Sequence, residues 1–426
     1  MKVISTSRNV RWGVLIYACG NNDLEPEITH AVLSLFANSR FEDASIAVQL
    51  GRASRELIAV LRPGLKYHFR GGEWRGVKRF FREAGCHNGK FSGLIDPVED
   101  LGNQNLACPK SLSDFLIWAI KAVAAEQYLV ILSGHGAAFI GSMVDFSHGR
   151  PQIMGVPQMS KAMHKALNDT GKSISYLLMD ACSMNLVENI YELARYKAAK
   201  IFLGSSGFIP LEGYDYSLWV KKLCGQNFIP GKKIMAVNSE LLSGIEAAAL
   251  DKYRLTLLKQ QLSGLAERLI RLGISPAVFN RSGEALISLA ELLNKVLVNF
   301  STDSVLIKIA GAALKLLADI DLTNSGMKIF CPGRQEVFNH YAGYYQKLSF
   351  SSNNFWPLWL SGGKPLLHGS PMDDPFSSIY LPLDILTEHI LNLNTGMTVA
   401  EVEEIYRKLG WKQRENRSQD GYLTNS

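Results

Sequence analysis

The sequence predicts an α/β fold with a mainly parallel sheet and helices on both faces. Two observations carry this expectation. Short, continuous Val/Ile/Leu-rich runs end in Gly or turn residues, and amphipathic stretches of helical period separate them. Continuous apolar runs suit strands buried on both sides, and alternation of strand with helix argues for right-handed crossovers.

The runs are Gly13–Ala18, Ser45–Leu50, Tyr128–Leu132, Ile174–Met179, Lys200–Gly204 and Met327–Phe330. Helices are expected over Ser113–Ala125, Met159–Leu167 and Asn185–Tyr196. In the first of these, Ser113 is expected to cap the first turn and Asp114 to complement the helix dipole. Residues 1–225 therefore read as a core. Residues 226–324 are long, helix-patterned and poor in strand signals, and read as a helical insertion. The chain is then expected to return to the core sheet at Met327, within 325–360, before a C-terminal extension over 361–426. The tail beyond about Gly410 is polar, which predicts fraying from Trp411 onward.

Composition narrows the function classes. Of 426 residues, 47% are hydrophobic and 20% charged, which excludes collagen-like, low-complexity and broadly disordered chains. The net charge of +6 is local, because residues 1–90 hold 14 basic and 8 acidic side chains and the remainder is balanced. The excess centres on Arg62–Lys66 and Arg75–Arg82. No zinc-finger, RRM or helix-turn-helix pattern accompanies it, so a solvated face is expected and no nucleic-acid partner. No apolar run approaches the ~18 residues of a membrane span, and no membrane partner is expected. Met1–Asn9 lacks a signal-peptide core, and the six cysteines are widely spaced without a CxxC pair. Free thiols and a cytoplasmic location are the expectation.

Two strand ends carry chemistry. One reads Ser133-Gly-His-Gly136, the other Asp180-Ala-Cys-Ser183. Ligands gather at the carboxyl ends of strands in open α/β sheets. A histidine between glycines sits on bare backbone that can approach a substrate, and it can move a proton near neutral pH. A cysteine between a strand end and a helix start is expected to feel positive helix-end potential, which favours the thiolate. The N–H groups of Gly136 and Cys182 are candidates for an oxyanion hole. Each residue alone reads more simply as structural. Their separation of 47 residues, however, is close to the ~50 of caspase-type enzymes. There is no GxxxxGK[ST], GxGxxG, GxSxG or HExxH pattern, and no histidine shows metal-ligand spacing. No metal and no cofactor is expected.

Beyond these residues, the chain resembles the clostripain family of cysteine peptidases, in the clan of caspases, legumain and gingipains. The likeness lies in Trp12–Glu25, Asn105–Trp118, Ser133–Gly136, Met179–Glu188 and Gly326–Pro332, with Tyr344-Tyr345 and Trp356–Trp359 following. It implies a caspase-like three-layer sandwich and a His135/Cys182 dyad cleaving peptide bonds through a thioester, with no third member required. It also implies Arg or Lys at P1, the residue before the cut, with Asp180, Ser205 and Ser206 on the substrate side. A turn-capping role for Asp180 is the competing reading. The chain departs from the family in Gly204–Tyr216, where Ser206, Gly207 and Ile209 stand in place of expected carboxylates; Glu212 and Asp215 lie nearby. Phe208 and Ile209 make that pocket more apolar and leave another P1 preference open.

Many relatives are zymogens cut between the His and Cys strands. Here Pro151 follows Arg150 and disfavours cleavage there. Some relatives bind calcium, but no EF-hand loop is present. The expectation is a monomeric endopeptidase acting on peptides or proteins. A catalytically inactive scaffold and a transpeptidase using the same dyad are the alternatives.

Overall fold

The Val10–Gly20 run forms β1, at the middle of an eight-stranded sheet. The computed structural model describes residues 9–38, 41–66, 71–85, 96–224, 245–281, 283–324, 326–365, 378–394 and 396–411. After β1 come α1 (Glu25–Asn38), β2 (Ala44–Arg52), α2 (Arg55–Leu61), β3 (Gly76–Arg82), β4 (Glu99–Gly102), α3 (Pro109–Ala122) and β5 (Ala125–Ser133). A hairpin of β6 (Gly136–Ala137) and β7 (Gly141–Asp145) leads to β8 (Gln152–Gly155), α4 (Val156–Thr170) and β9 (Tyr176–Asp180). Then follow α5 (Val187–Arg195), β10 (Ile201–Gly204), α6 (Tyr216–Cys224), β11 (Glu246–Ala249) and α7 (Lys252–Arg271). β12 (Leu286–Ser288), α8 (Leu289–Asn299), α9 (Ser304–Ile320), β13 (Lys328–Phe330), α10 (Gln335–Tyr345) and α11 (Trp356–Leu360) come next. The described chain closes with β14 (Ile379–Tyr380), α12 (Leu383–Leu393) and α13 (Val399–Lys408).

The sheet order is β11-β10-β9-β5-β1-β2-β3-β4. Its five middle strands, β10 to β2, are parallel, and antiparallel strands edge it on both sides. Successive residues of β1 face opposite cores. Leu15 and Tyr17 join the side covered by α3, α4 and α5, while Val14 and Ile16 join the side covered by α1 and α6. This is the caspase-like three-layer sandwich with a mainly parallel sheet. In register, Ala18 pairs with Ser133 and Ser133 with Asp180, so the loops after β1, β5 and β9 leave the sheet side by side. That alignment brings residues separated by more than 100 positions to one end of the sheet.

Several expectations need correction. Ser113 does not cap a helix: α3 begins at Pro109, whose fixed φ suits a first helical position, and Ser113 is buried inside it. Within 226–324 the described residues supply more than helices. The Ala-rich β11 pairs with β10, because an unsatisfied sheet edge overrides weak strand propensity. Leu255, Leu258 and Leu262 of α7 share the core beneath α5. At Met327 the chain does not rejoin the main sheet. β13 pairs with β12, and Lys328 makes only an isolated bridge to Leu186. Trp411, placed in a frayed tail by its polar neighbours, is buried against Phe146 at 5.1 Å between ring centroids. The rest of that tail lies outside the described residues.

Candidate active site

β5 ends at Ser133, and the chain turns through His135 into the β6–β7 hairpin. The Met143 N–H and the Ser142 hydroxyl both donate to the His135 carbonyl, at 3.0 and 2.8 Å, which fixes the backbone beneath the ring. The imidazole Nε2 lies 2.8 Å from Asp23 Oδ1. A carboxylate in that position accepts the Nε2 proton, leaving Nδ1 of a neutral ring as the free base. Burial by itself would push the Asp23 pKa up. The adjacent His135 and its hydrogen bond outweigh this, so the carboxyl titrates below its ordinary range. Asp23 is held by its own turn: Asn22 Nδ2 donates to the carbonyls of Cys19 and Val144 at 2.8 and 2.7 Å.

The second imidazole is His389 of α12. It stacks on His135 with centroids 4.5 Å apart and planes 10° from parallel. Burial, then the neighbouring His135, lower its pKa to about 3, so this ring is neutral. Sequence reasoning missed both Asp23 and His389. Asp23 lies within the Trp12–Glu25 segment, but its partner is 112 residues away. His389 had no local signal.

Cys182 follows β9 in a tight turn in which Ser183 adopts φ +56°. Ser183 N–H donates to the Gly207 carbonyl at 2.8 Å, and Asn185 N–H to that of Ser205 at 2.9 Å, binding this turn to the loop after β10. The expected helix-end activation of the thiol is not what the geometry gives. α5 starts only at Val187, and burial pushes the Cys182 thiol pKa up. The Ile209 N–H, 3.4 Å from Sγ, opposes that rise, and Asp180 adds to it. Cys19 and Cys331 are fully buried, and burial raises both thiols. Cys86 lies outside the described residues.

Gly136 packs against the backbone of Cys182. A Cβ at Gly136 would sit 2.1 Å from the Cys182 carbonyl oxygen and 3.0 Å from its nitrogen. Only glycine allows these two peptide units to lie so close.

Asp180 is buried at the end of β9. Its Oδ2 accepts from the Tyr216 hydroxyl at 2.5 Å and the Ser133 hydroxyl at 3.2 Å, while Oδ1 is buried without a partner among the described residues. Burial raises its pKa to about 6. Gly213, at φ +68°, covers it so closely that a Cβ would lie 2.7 Å from the carboxylate.

A cavity of about 370 Å³ joins these groups. His135, Gly136, Asp180 and Cys182 line it, as do Glu27 and Ile28 of α1, the Phe208–Gly213 loop, and His389 and Leu393 of α12. Glu212 therefore reaches the cavity and Asp215 does not. Ser205 and Ser206 are also absent from its lining. The Ser205 hydroxyl accepts from the Gly207 N–H, and Ser206 donates to Glu246 at 2.7 Å. Among the described residues, no three His, Cys, Asp or Glu side chains converge as a metal site.

Behind the cysteine turn, α5 is anchored by two buried carboxylates. Glu188 Oε1 accepts from the Phe330 N–H at 3.0 Å and the Tyr345 hydroxyl at 2.8 Å, while Glu192 accepts from the Phe350 N–H. Burial raises Glu188 to about 7.

A caspase-like sheet whose neighbouring strands deliver a histidine and a cysteine to one cleft defines a cysteine peptidase. The clostripain family model matches residues 97–272, the stretch that carries both side chains. Over that stretch the chain is similar to the clostripain family. Among solved structures, an inactive zymogen C11 protease from Parabacteroides distasonis is similar at 14% identity and a TM-score of 0.57, covering 81% of this chain and 98% of that one. A secreted C11 cysteine protease from Bacteroides thetaiotaomicron, in complex with an irreversible peptide inhibitor, is similar at 15% identity and a TM-score of 0.53, covering 80% and 98%. At such identities the likeness concerns the fold. No curated protein sequence matches the chain.

Proposed function

We propose that the protein is a cysteine endopeptidase in which Cys182 is the nucleophile and His135 the general acid/base, with Arg or Lys preferred at P1. The observation that carries this reading is the shared cleft. His135, oriented by Asp23, and Cys182 open onto the same cavity, with the unpaired Asp180 Oδ1 at its side.

The raised thiol pKa argues for proton transfer during attack rather than a standing thiolate. Sγ adds to the scissile carbonyl as its proton passes to His135 Nδ1. The Gly136 and Cys182 N–H groups hold the oxyanion. His135 then gives the proton to the departing amine, leaving a thioester at Cys182. Water attacks that thioester, losing a proton to the imidazole, and the acid product leaves with the thiol restored. Asp23 keeps the ring in the reactive tautomer and stabilises the imidazolium formed in each half-reaction. This makes Asp23 a third member that the sequence reading did not require.

Among the described residues, Asp180 and Glu212 line the cavity and no Lys or Arg does, which favours a basic P1 group; Glu27 lines it too, but Arg62 already pairs with both of its carboxylate oxygens, at 2.8 and 2.9 Å. A guanidinium reaching Asp180 Oδ1 makes a charge-assisted contact in a dry site. Glu212 compensates for the acids missing from the loop after β10. Substrate contacts through Ser205 and Ser206 have less support, since both hydroxyls are engaged elsewhere.

The test is labelling by a peptidyl electrophile with P1 Arg. Stoichiometric modification of the protein, absent in Cys182→Ala and in His135→Ala, is expected. Undiminished labelling of Cys182→Ala would refute the assignment. Product analysis with an added amine separates hydrolysis from transpeptidation.

A further inference from the structure

A second cavity, of about 620 Å³, opens where the ends of α4 and α5 meet the start of α7. Lys172, Arg195, Lys197 and Lys252 line it together with His164 and Tyr196, and among the described residues no lining side chain is acidic. Its wall is pre-arranged. The His164 ring bonds to the Tyr196 carbonyl through Nδ1 at 3.0 Å and to the Asn168 amide through Nε2 at 3.0 Å, and the Arg195 guanidinium lies 5.9 Å from the Tyr196 ring centroid.

Fold stability accounts for only part of this charge. Arg195 closes the last turn of α5 and Lys172 lies just past the end of α4, positions where cations complement helix dipoles. Lys252 is the opposite case. It is the first residue of α7, where the dipole disfavours a cation. Lys197 has φ +52°, a backbone conformation in which glycine or asparagine costs less than lysine. Selection for folding alone would place an acid at the first position and a small residue at the second. Both instead hold cations facing one concavity.

We propose that this cavity binds a compact oligophosphate, either free or carried by a nucleoside. Its volume falls in the range of small-ligand sites, roughly 300–1,000 Å³. Several cations without lining carboxylates match a multiply charged, oxygen-rich anion better than a single carboxylate. A concavity of this size, open on one side, suits a compact ligand better than the extended backbone of a nucleic acid. This inference does not depend on the assignments made for the peptidase cleft.

The experiment is calorimetric titration of the full-length protein with inorganic triphosphate, ATP and adenosine, at low and physiological salt. Triphosphate is expected to bind and adenosine alone not to. Equal affinities for triphosphate and ATP identify the free anion, whereas tenfold tighter ATP identifies a nucleotide. In the double variant K172Q/K252Q, affinity should fall about 10²-fold through loss of two charge-assisted contacts. R195Q serves as an independent variant and K121Q, an exposed lysine on α3, as a control. The proposal is overturned by an absence of triphosphate binding, by an equal loss in K121Q, or by an oligonucleotide binding more tightly than triphosphate in a manner insensitive to K172Q/K252Q.

Discussion

Replacing Asp180 by Asn removes a charge from a dry site, and two effects of opposite sign should follow. Folding raises the Asp180 pKa from 3.8 to about 6. The folded protein therefore keeps this proton to about pH 6, while the unfolded chain loses it near pH 4. Stability falls as pH rises through that window and stays reduced above it. A gap near two pKa units, at about 1.4 kcal/mol each, sets an upper value of roughly 3 kcal/mol. Asparagine keeps an oxygen for Tyr216 and Ser133 but carries no charge. Asp180→Asn should thus be more stable than the parent by roughly 1–3 kcal/mol near pH 8, and nearly equal to it near pH 4. Activity should move the other way. Loss of a desolvated ion pair to a P1 cation costs about 2–5 kcal/mol, or roughly 30- to 4,000-fold in kcat/KM. The assay pairs denaturant unfolding at both pH values with kcat/KM on peptides differing only in P1 Arg or Gln. A variant that retains its Arg preference refutes Asp180 as the specificity acid. A variant destabilised more near pH 8 than near pH 4 refutes the burial argument itself.

Asp23→Asn should lower kcat by about 10²–10⁴-fold with KM little changed, because the amide no longer imposes the reactive His135 tautomer; steady-state kinetics read this directly. Gly136→Ala should remove electrophile labelling of Cys182, since the new Cβ would lie 2.1 Å from the Cys182 carbonyl oxygen, and near-UV circular dichroism checks that the chain still folds. Glu188→Gln should stabilise the protein by roughly 2–3 kcal/mol near pH 8 and hardly at all near pH 4, because burial raises this carboxyl from 4.5 to about 7. Unfolding midpoints at the two pH values measure it.

Local pattern determined the inner sheet. β1, β2, β5, β9 and β10 are continuous apolar runs because both faces are covered, and such runs announce themselves without any partner. The same logic located His135 and Cys182, since strand ends can be read from where the apolar run stops. Tertiary structure alone decided the rest. The Asp23–His135 bond spans 112 residues, and the His135–His389 stack depends on α12 packing beside the cleft. β11 is a strand because an open edge was available, not because Glu246–Ala249 prefers one. The thiol pKa illustrates the difference most clearly. Sequence placed Cys182 near a helix start and so predicted activation, but desolvation depends on every neighbour at once and raises the pKa instead. Periodicity records which face of an element is buried; it does not record which distant side chain shares that burial.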